Sequence, residues 1–316
     1  MAKKAIHRLT SPLPTPSICF IIPTYNRADA LQLCLEHIEL QTFTDFEVIV
    51  VDDGSTDTTP QVLEQFAARG TLRLRHQRQP NSGPAAARNL AISLTQAPIA
   101  LIIGDDILIA PDFAAIHLQF HREHPERNIA SLGLTRWCET RQTVTPFMRW
   151  LESSGTQFAY QDLLRGDTPE WRHFYTSNLG VKTQLLRENP FNERFSQALM
   201  EDMELGYRLQ VQHELKIVFL ANALADHVHP TDFRKACRRA FGAGRSAQIF
   251  DELWPQRPVP QHGAVHRAVR EVLCWNPWLA PPLTWFTDTV TRFWCPNPLL
   301  HPVLAYQAAL GRRSRD

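Results

Sequence analysis

The first third of the chain alternates short apolar runs with stretches of helical periodicity. Ile18 to Ile22, Phe46 to Val51, Leu72 to His76 and Pro98 to Ile103 read as strands, mostly apolar on both faces. Between them Ala28 to Gln41 carries Leu31, Cys34, Leu35 and Ile38 on one stripe, and Gln61 to Arg69 and Pro84 to Leu94 follow the same period. Thr58 with Gln61 fits a capping box, and Pro60 suits a first turn. Strand, helix, strand in this rhythm predicts βαβ units, hence an α/β fold with a parallel sheet covered by helices. Ligands of such sheets bind beyond the carboxyl ends of the strands, where loops and helix N-termini converge. Pro23 to Arg27, Asp52 to Ser55, Gln77 to Gly83 and Gly104 to Asp106 all fall at those ends.

Composition narrows the ligand. With 316 residues, one continuous body or two lobes are both compatible with the length. The 33 basic and 32 acidic residues leave a formal charge of +1, which argues against a nucleic-acid partner gripped by the whole surface. The six cysteines show no C-x-x-C pair, so reduced thiols in a cytoplasmic protein are expected, with neither a zinc site nor a disulfide framework. "MAKKAIHRLTSPLPTPS" lacks the apolar stretch of a signal peptide and is expected to be a flexible lead over residues 1–16. No uninterrupted apolar run reaches the ~18 residues of a spanning helix.

Neither G-x-G-x-x-G nor G-x-x-x-x-G-K follows the first strand, so dinucleotide-binding and P-loop readings lose ground. Carboxylates stand there instead: Asp52 and Asp53 end one strand, Asp105 and Asp106 another. Either pair alone fits a turn former or helix cap. Both pairs at corresponding strand ends need a cation or donors to balance them, and an oxygen-rich site suits Mg²⁺ or Mn²⁺ bridging to phosphates.

"IIPTYNR", "VIVVDDGSTD", "NSGPAAARNLAI" and "GDDILIAPDF", in this order, resemble the family 2 glycosyltransferases of the GT-A fold. The resemblance continues through "NPFNERFSQALMEDMELGYRLQ" and "DHVHPTDFRKACRRAFGAGRSA", covering roughly residues 17 to 250. It implies transfer of a sugar, with inversion, from a nucleoside diphosphate donor, foremost a UDP-sugar. By position, Pro23 and Tyr25 would lie along the nucleoside, Asp53 would bond the base or ribose, and Arg88 would face the nucleotide. Asp106 would hold the metal and Asp105 lie near the ribose, although Gly104 stands where many members carry the first aspartate of a D-x-D element. Asp202 of "ED" would be the general base, with Glu201 beside it. His227 and His229, two apart and so on one face of a strand, would complete the metal shell or touch the diphosphate.

"TDFRKACRRAFGAGRSAQIF" sets Phe233, Cys237, Phe241 and Gly244 on one side of a helix and Arg234, Lys235, Arg238 and Arg239 on the other. The basic face reads as a solvated face, or as a contact for a polyprenyl diphosphate acceptor or an anionic membrane. Residues 264 to 311 hold Trp275, Trp278, Trp285 and Trp294 among prolines, which fits either a helical appendage folded on the catalytic lobe or an interfacial anchor. The organisation expected is a donor-binding half at 17–110, an acceptor and catalytic half at 111–230, and a helical extension at 231–316. The acceptor would be a glycan or lipid-linked saccharide in cell-surface polysaccharide or glycolipid synthesis, with the protein cytoplasmic or peripheral at the inner face of the membrane. Two rivals carry similar residues: a sugar nucleotidyltransferase, whose basic glycine-rich loop "PTYNRAD" does not match, and a non-catalytic nucleotide-sugar-binding protein, which would not need Asp202.

Overall fold

A computed structural model describes residues 14–257, 271–272, 277–291, 294–295 and 297–314. Most of the N-terminal lead and Trp275 lie outside the described residues. The elements run β1 (Ile18–Thr24), α1 (Ala28–Glu39), β2 (Phe46–Asp52), α2 (Thr59–Arg69), β3 (Leu74–Arg78), α3 (Pro84–Leu94), β4 (Ile99–Ile102) and β5 (Ile107–Ile109). They continue with α4 (Phe113–Glu123), β6 (Ile129–Trp137), α5 (Pro146–Ser153), α6 (Tyr160–Leu164), β7 (Leu179–Lys182), α7 (Thr183–Glu188), α8 (Glu201–His213) and β8 (Lys216–His227). The described C-terminal helices are α9 (Phe233–Leu253), α10 (Ala280–Val290) and α11 (Asn297–Arg313).

One sheet, ordered β3-β2-β1-β4-β7-β6-β8-β5, carries all of these strands. Its β3-β2-β1-β4 half is parallel, as the βαβ rhythm predicts, and β6 lies parallel to β8. β7 runs antiparallel between β4 and β6, and β5 antiparallel against β8, so the sheet is mostly parallel. Helices cover both faces, because successive side chains of a strand point to opposite sides. Cys19 and Ile21 pack with α3, α7 and α8 on one face; Ile18, Phe20 and Ile22 pack with α1, α2 and α4 on the other.

Two local expectations are corrected. The strand expected from Leu72 to His76 begins two residues later and is mostly exposed, because β3 is the edge of the sheet. Thr58 makes no side-chain cap; Asp57 Oδ1 instead accepts from the Thr59 amide at 3.0 Å, capping α2 from one position earlier. The first-turn proline is present as expected.

α11 packs along α9 at backbone contact. A Cβ on Gly244 would lie 1.9 Å from the Ala308 carbonyl oxygen, and one on Gly311 would lie 1.9 Å from that of Phe241. Leu300, Val303 and Leu304 of α11 fill a core with Trp137, Phe147, Trp150 and Phe233. Among the described residues no helix is long and apolar enough to cross a membrane.

Candidate active site

The carboxyl ends of β1, β2 and β4 are tied together by backbone and carboxylate. The Asp53 amide donates to the Thr24 carbonyl at 2.9 Å, and Thr24 Oγ1 donates to Asp105 Oδ2 at 2.7 Å. Asp52 Oδ1 accepts from the Ser55 amide at 2.8 Å, so this aspartate orders its own turn. Asp53 is turned to the next loop: Oδ1 accepts from Gln79 Nε2 at 2.7 Å and the Ser82 amide at 2.8 Å, and Oδ2 from the Gly83 amide at 2.8 Å. A carboxylate offers about four lone-pair positions, so roughly one is left for a ligand. The turn needs glycine at 54, where φ is +85° and a Cβ would lie 2.9 Å from the Asn81 amide nitrogen. Pro23 pairs opposite Val51 one residue before the end of β1, and Tyr25 just past the strand is 45% exposed.

Asp106 is placed by sheet register. β5 pairs with β8 so that Ile107 faces His227, and the Val228 amide donates to the Asp106 carbonyl at 2.9 Å. This puts Asp106 Oδ2 at 3.1 Å from His227 Nε2 and 3.4 Å from His229 Nδ1. The two imidazoles stack with centroids 5.2 Å apart, as expected for residues two apart, and Trp137 stacks on His227 at 5.3 Å with the rings 8° from parallel. Gly104 is explained by the same geometry: a Cβ there would lie 2.7 Å from Asp106 Oδ1, in space this carboxylate occupies.

Arg27, to which the sequence alone assigns no role, is the cation of this cluster. Its guanidinium lies 3.0 Å from Asp105 Oδ1, 2.9 Å from Asp106 Oδ2 and 3.0 Å from His229 Nδ1. Burial and the neighbouring Asp106 charge push the Asp105 carboxyl up to about 7, against the pull of Arg27 and Thr24. Burial acts on Asp106 in the same direction, but His227, His229 and Arg27 outweigh it and hold that carboxyl well below the usual range. Asp106, His227 and His229 each offer a ligand atom, all within 4.8 Å of one another. One carboxylate and two imidazoles fit a divalent transition ion such as Mn²⁺ better than Mg²⁺, which favours oxygen. His227 Nδ1 is buried without a partner, so a change of hydrogen-bond partner at the other ring nitrogen meets no competing bond there.

The second acid pair opens α8. Met200 enters the helix at φ 70°, a strained conformation for a non-glycine residue, and Glu201 after it is buried. Glu201 Oε1 accepts from Arg88 Nη1 at 2.7 Å, and both residues are buried. Arg88 Nη1 is thus engaged by Glu201, while its Nε and Glu201 Oε2 are unpartnered. Asp202 is partly exposed and accepts from the Met203 amide at 2.8 Å. Burial and the adjacent Glu201 raise its carboxyl to about 7, with Arg88 opposing. Tyr175 senses the Asp202 charge, Phe158 packs on Tyr175 at 5.0 Å, and Phe158 stands 6.1 Å from His227. An aromatic wall thus joins the two acid clusters. No periodicity marks Trp137, Phe158 or Tyr175, because Trp137 ends β6 and the other two lie in loops.

The glycosyl transferase family 2 model matches residues 19–186, just over half of the chain. The chain is 32% identical over 229 residues to validoxylamine A glucosyltransferase of Streptomyces hygroscopicus subsp. jinggangensis, spanning 61% of this chain and 51% of that one. It thus spans about half the length of that relative. Its fold is similar to the mannosyltransferase PcManGT of Pyrobaculum calidifontis in complex with GDP-Man and Mn²⁺, with a TM-score of 0.58, 19% identity, and 95% of this chain and 74% of that one covered. It is also similar to residues 1–349 of S. aureus TarS in complex with UDP, with a TM-score of 0.51, 21% identity, and 72% and 64% covered. The α/β sheet has the GT-A fold of these neighbours, and the chain belongs to glycosyl transferase family 2.

Proposed function

We propose that the protein transfers a sugar from a nucleoside diphosphate donor, foremost a UDP-sugar, to a hydroxyl of a glycan or lipid-linked saccharide, with inversion. The observation that carries this reading is the convergence of Asp105, Asp106, His227 and His229 at the carboxyl ends of the parallel strands in a chain of this family. TarS with UDP and PcManGT with GDP-Man support a nucleotide sugar as the donor class. A place in cell-surface polysaccharide or glycolipid synthesis fits such an acceptor, and the five described cysteines, all free thiols, fit the cytoplasm.

Pro23, Tyr25, the remaining lone pair of Asp53, and Arg88 form the nucleoside side, and Asp105 faces the ribose. Asp106, His227 and His229 hold a divalent cation, Mn²⁺ or Mg²⁺, which when bound supplies positive charge against the departing diphosphate. Arg27, beside Asp105 and Asp106, would supply a guanidinium for the phosphates. Asp202 takes the proton of the acceptor hydroxyl as that oxygen attacks the anomeric carbon from the side opposite the leaving group. Glu201, neutralised by Arg88, sets the basicity of Asp202. Residues 17–110 serve the donor, 111–230 the acceptor and the chemistry, and 231–316 form the helical extension.

A panel of nucleotide sugars with Mn²⁺ or Mg²⁺, read by thermal shift and by slow hydrolysis to nucleoside diphosphate, tests the reading. Asp106→Asn is expected to weaken ion and nucleoside diphosphate together in calorimetry. Asp202→Asn is expected to bind both like the parent while turnover falls by on the order of a hundredfold or more. Stabilisation by NAD and by no nucleotide sugar overturns the proposal.

A further inference from the structure

α10 is built inside out. Thr287, Asp288 and Thr291 are buried, whereas Trp278, Pro281, Pro282, Trp285, Phe286 and Thr289 face solvent. Those outward positions recur at helical spacing, so they form one continuous face. Trp278, Trp285 and Trp294 are 70%, 62% and 66% exposed, more than any other large apolar residue described. A soluble surface helix does the reverse, and an exposed apolar face of this kind marks an interaction site.

What the face meets is argued from its flank. A groove of about 420 Å³ runs between α9, α10 and α11, with Arg234, Arg238, Thr284, Trp285 and Gln307 among its lining residues. Arg234 bonds Asp288 at 2.8 Å, which holds α10 by its polar side. Arg238 is exposed and makes no ion pair among the described residues, and Thr284 Oγ1 is buried without a partner. Lys235 and Arg239 continue the exposed basic face of α9. The outward face of α10 carries no acid. Cationic side chains and an open hydroxyl beside tryptophans match an anionic phosphate headgroup above an apolar layer.

We propose that α10 lies in the surface of an anionic lipid bilayer, with Trp278, Trp285 and Trp294 at headgroup depth and a lipid phosphate in the Arg238 groove. This rests on the glycosyltransferase reading only for its purpose, which is to hold the enzyme where lipid-linked acceptors are. It also reconciles the two sequence expectations for the tail: α11 is folded on the catalytic lobe, while α10 is the anchor.

Truncation of the tail is a poor test, since it removes Leu300, Val303 and Leu304 from the core around Trp137. The full chain is instead sedimented with phosphatidylcholine vesicles and with vesicles containing ~30% phosphatidylglycerol. The parent is expected to bind the anionic vesicles, less so in high salt, with a blue shift of tryptophan fluorescence. Trp278→Ser, Trp285→Ser and Trp294→Ser together should weaken binding at least about tenfold, and Arg238→Gln several-fold on anionic vesicles only. Thermal stabilisation by nucleoside diphosphate with Mn²⁺ should be the same in parent and variants, which separates failure of the anchor from failure of the enzyme reading. A parent that stays in the supernatant, or binding unchanged in the serine variant, overturns the proposal. So does concentration-dependent dimerisation abolished by Trp285→Ser, which would assign the face to a second copy.

Discussion

At the scale of single residues, the acid pair that opens α8 makes a statement about pH. Burial and Glu201 set the Asp202 carboxyl near 7, so a base that must be ionised gains occupancy as pH rises through that value. kcat/KM is expected to climb with a midpoint near pH 7. Glu201→Gln removes the like charge and leaves Arg88 unopposed, so the same limb should move to lower pH by on the order of one unit. A limb that stays put assigns it to another group. Arg27 makes a second statement, about competition. A unit charge ~4 Å from a divalent ion is worth about 8 kcal/mol at an effective dielectric of ~20. Arg27 is 35% exposed at its side chain, so most of that repulsion is relieved as the guanidinium swings into water. Arg27→Gln should therefore bind Mn²⁺ alone about tenfold more tightly than the parent, yet bind nucleoside diphosphate with Mn²⁺ more weakly. Equal Mn²⁺ affinity in calorimetry removes Arg27 from this role. That Asp53, Asp105 and Asp106 stand at strand ends is legible, because the apolar runs before them are local. The pairing of Arg27 with Asp105 and Asp106, and of Arg88 with Glu201, is not written in the sequence, because sequence shows charge but not the partner that balances it.

Elements show the same division. β1, β2, β4 and the three intervening helices were readable because apolar runs and 3.6-residue stripes are local properties. The antiparallel insertion of β7 and the β5–β8 pairing were not, since register between strands far apart in sequence depends on tertiary packing. That pairing places Asp106 beside His227, so the least legible element sets the centre of the site. The α9–α11 contact yields a test of packing. Alanine at Gly244 gains about 1 kcal/mol of helix propensity. Its Cβ meets backbone at 1.9 Å, which cannot rotate away, and overpacking of this kind costs about 1–3 kcal/mol. The clash should win and Tm fall by a few degrees in a thermal scan. A rise would show that the helices separate easily.

Across the whole molecule, a buried polar chain limits acid stability. His117 bonds Ser131 Oγ at 2.7 Å and Asn178 Oδ1 at 3.0 Å, and Ser131 bonds His121 Nε2 at 3.0 Å. Burial lowers the His117 imidazole from its ordinary 6.5 to about 4 and that of His121 to about 3. Between these values and 6.5 the unfolded chain binds more protons than the folded one, so stability falls as pH falls through that window. Denaturation midpoints measured from pH 7 to 4 should drop steadily, and His117→Gln should flatten the slope. An unchanged slope places the acid sensitivity elsewhere.

The stack of Trp137 on His227 joins the site to the end of the described chain, because Trp137 shares its core with Leu300, Val303 and Leu304. During synthesis residues 17–110 emerge first, at ~5–20 residues per second, and can form their strands and helices early. The packing behind the ring that stacks on His227 is complete only once α11 has emerged and docked. A partly made chain thus has the ends of β1, β2 and β4 in place while the wall behind His227 is still unfinished.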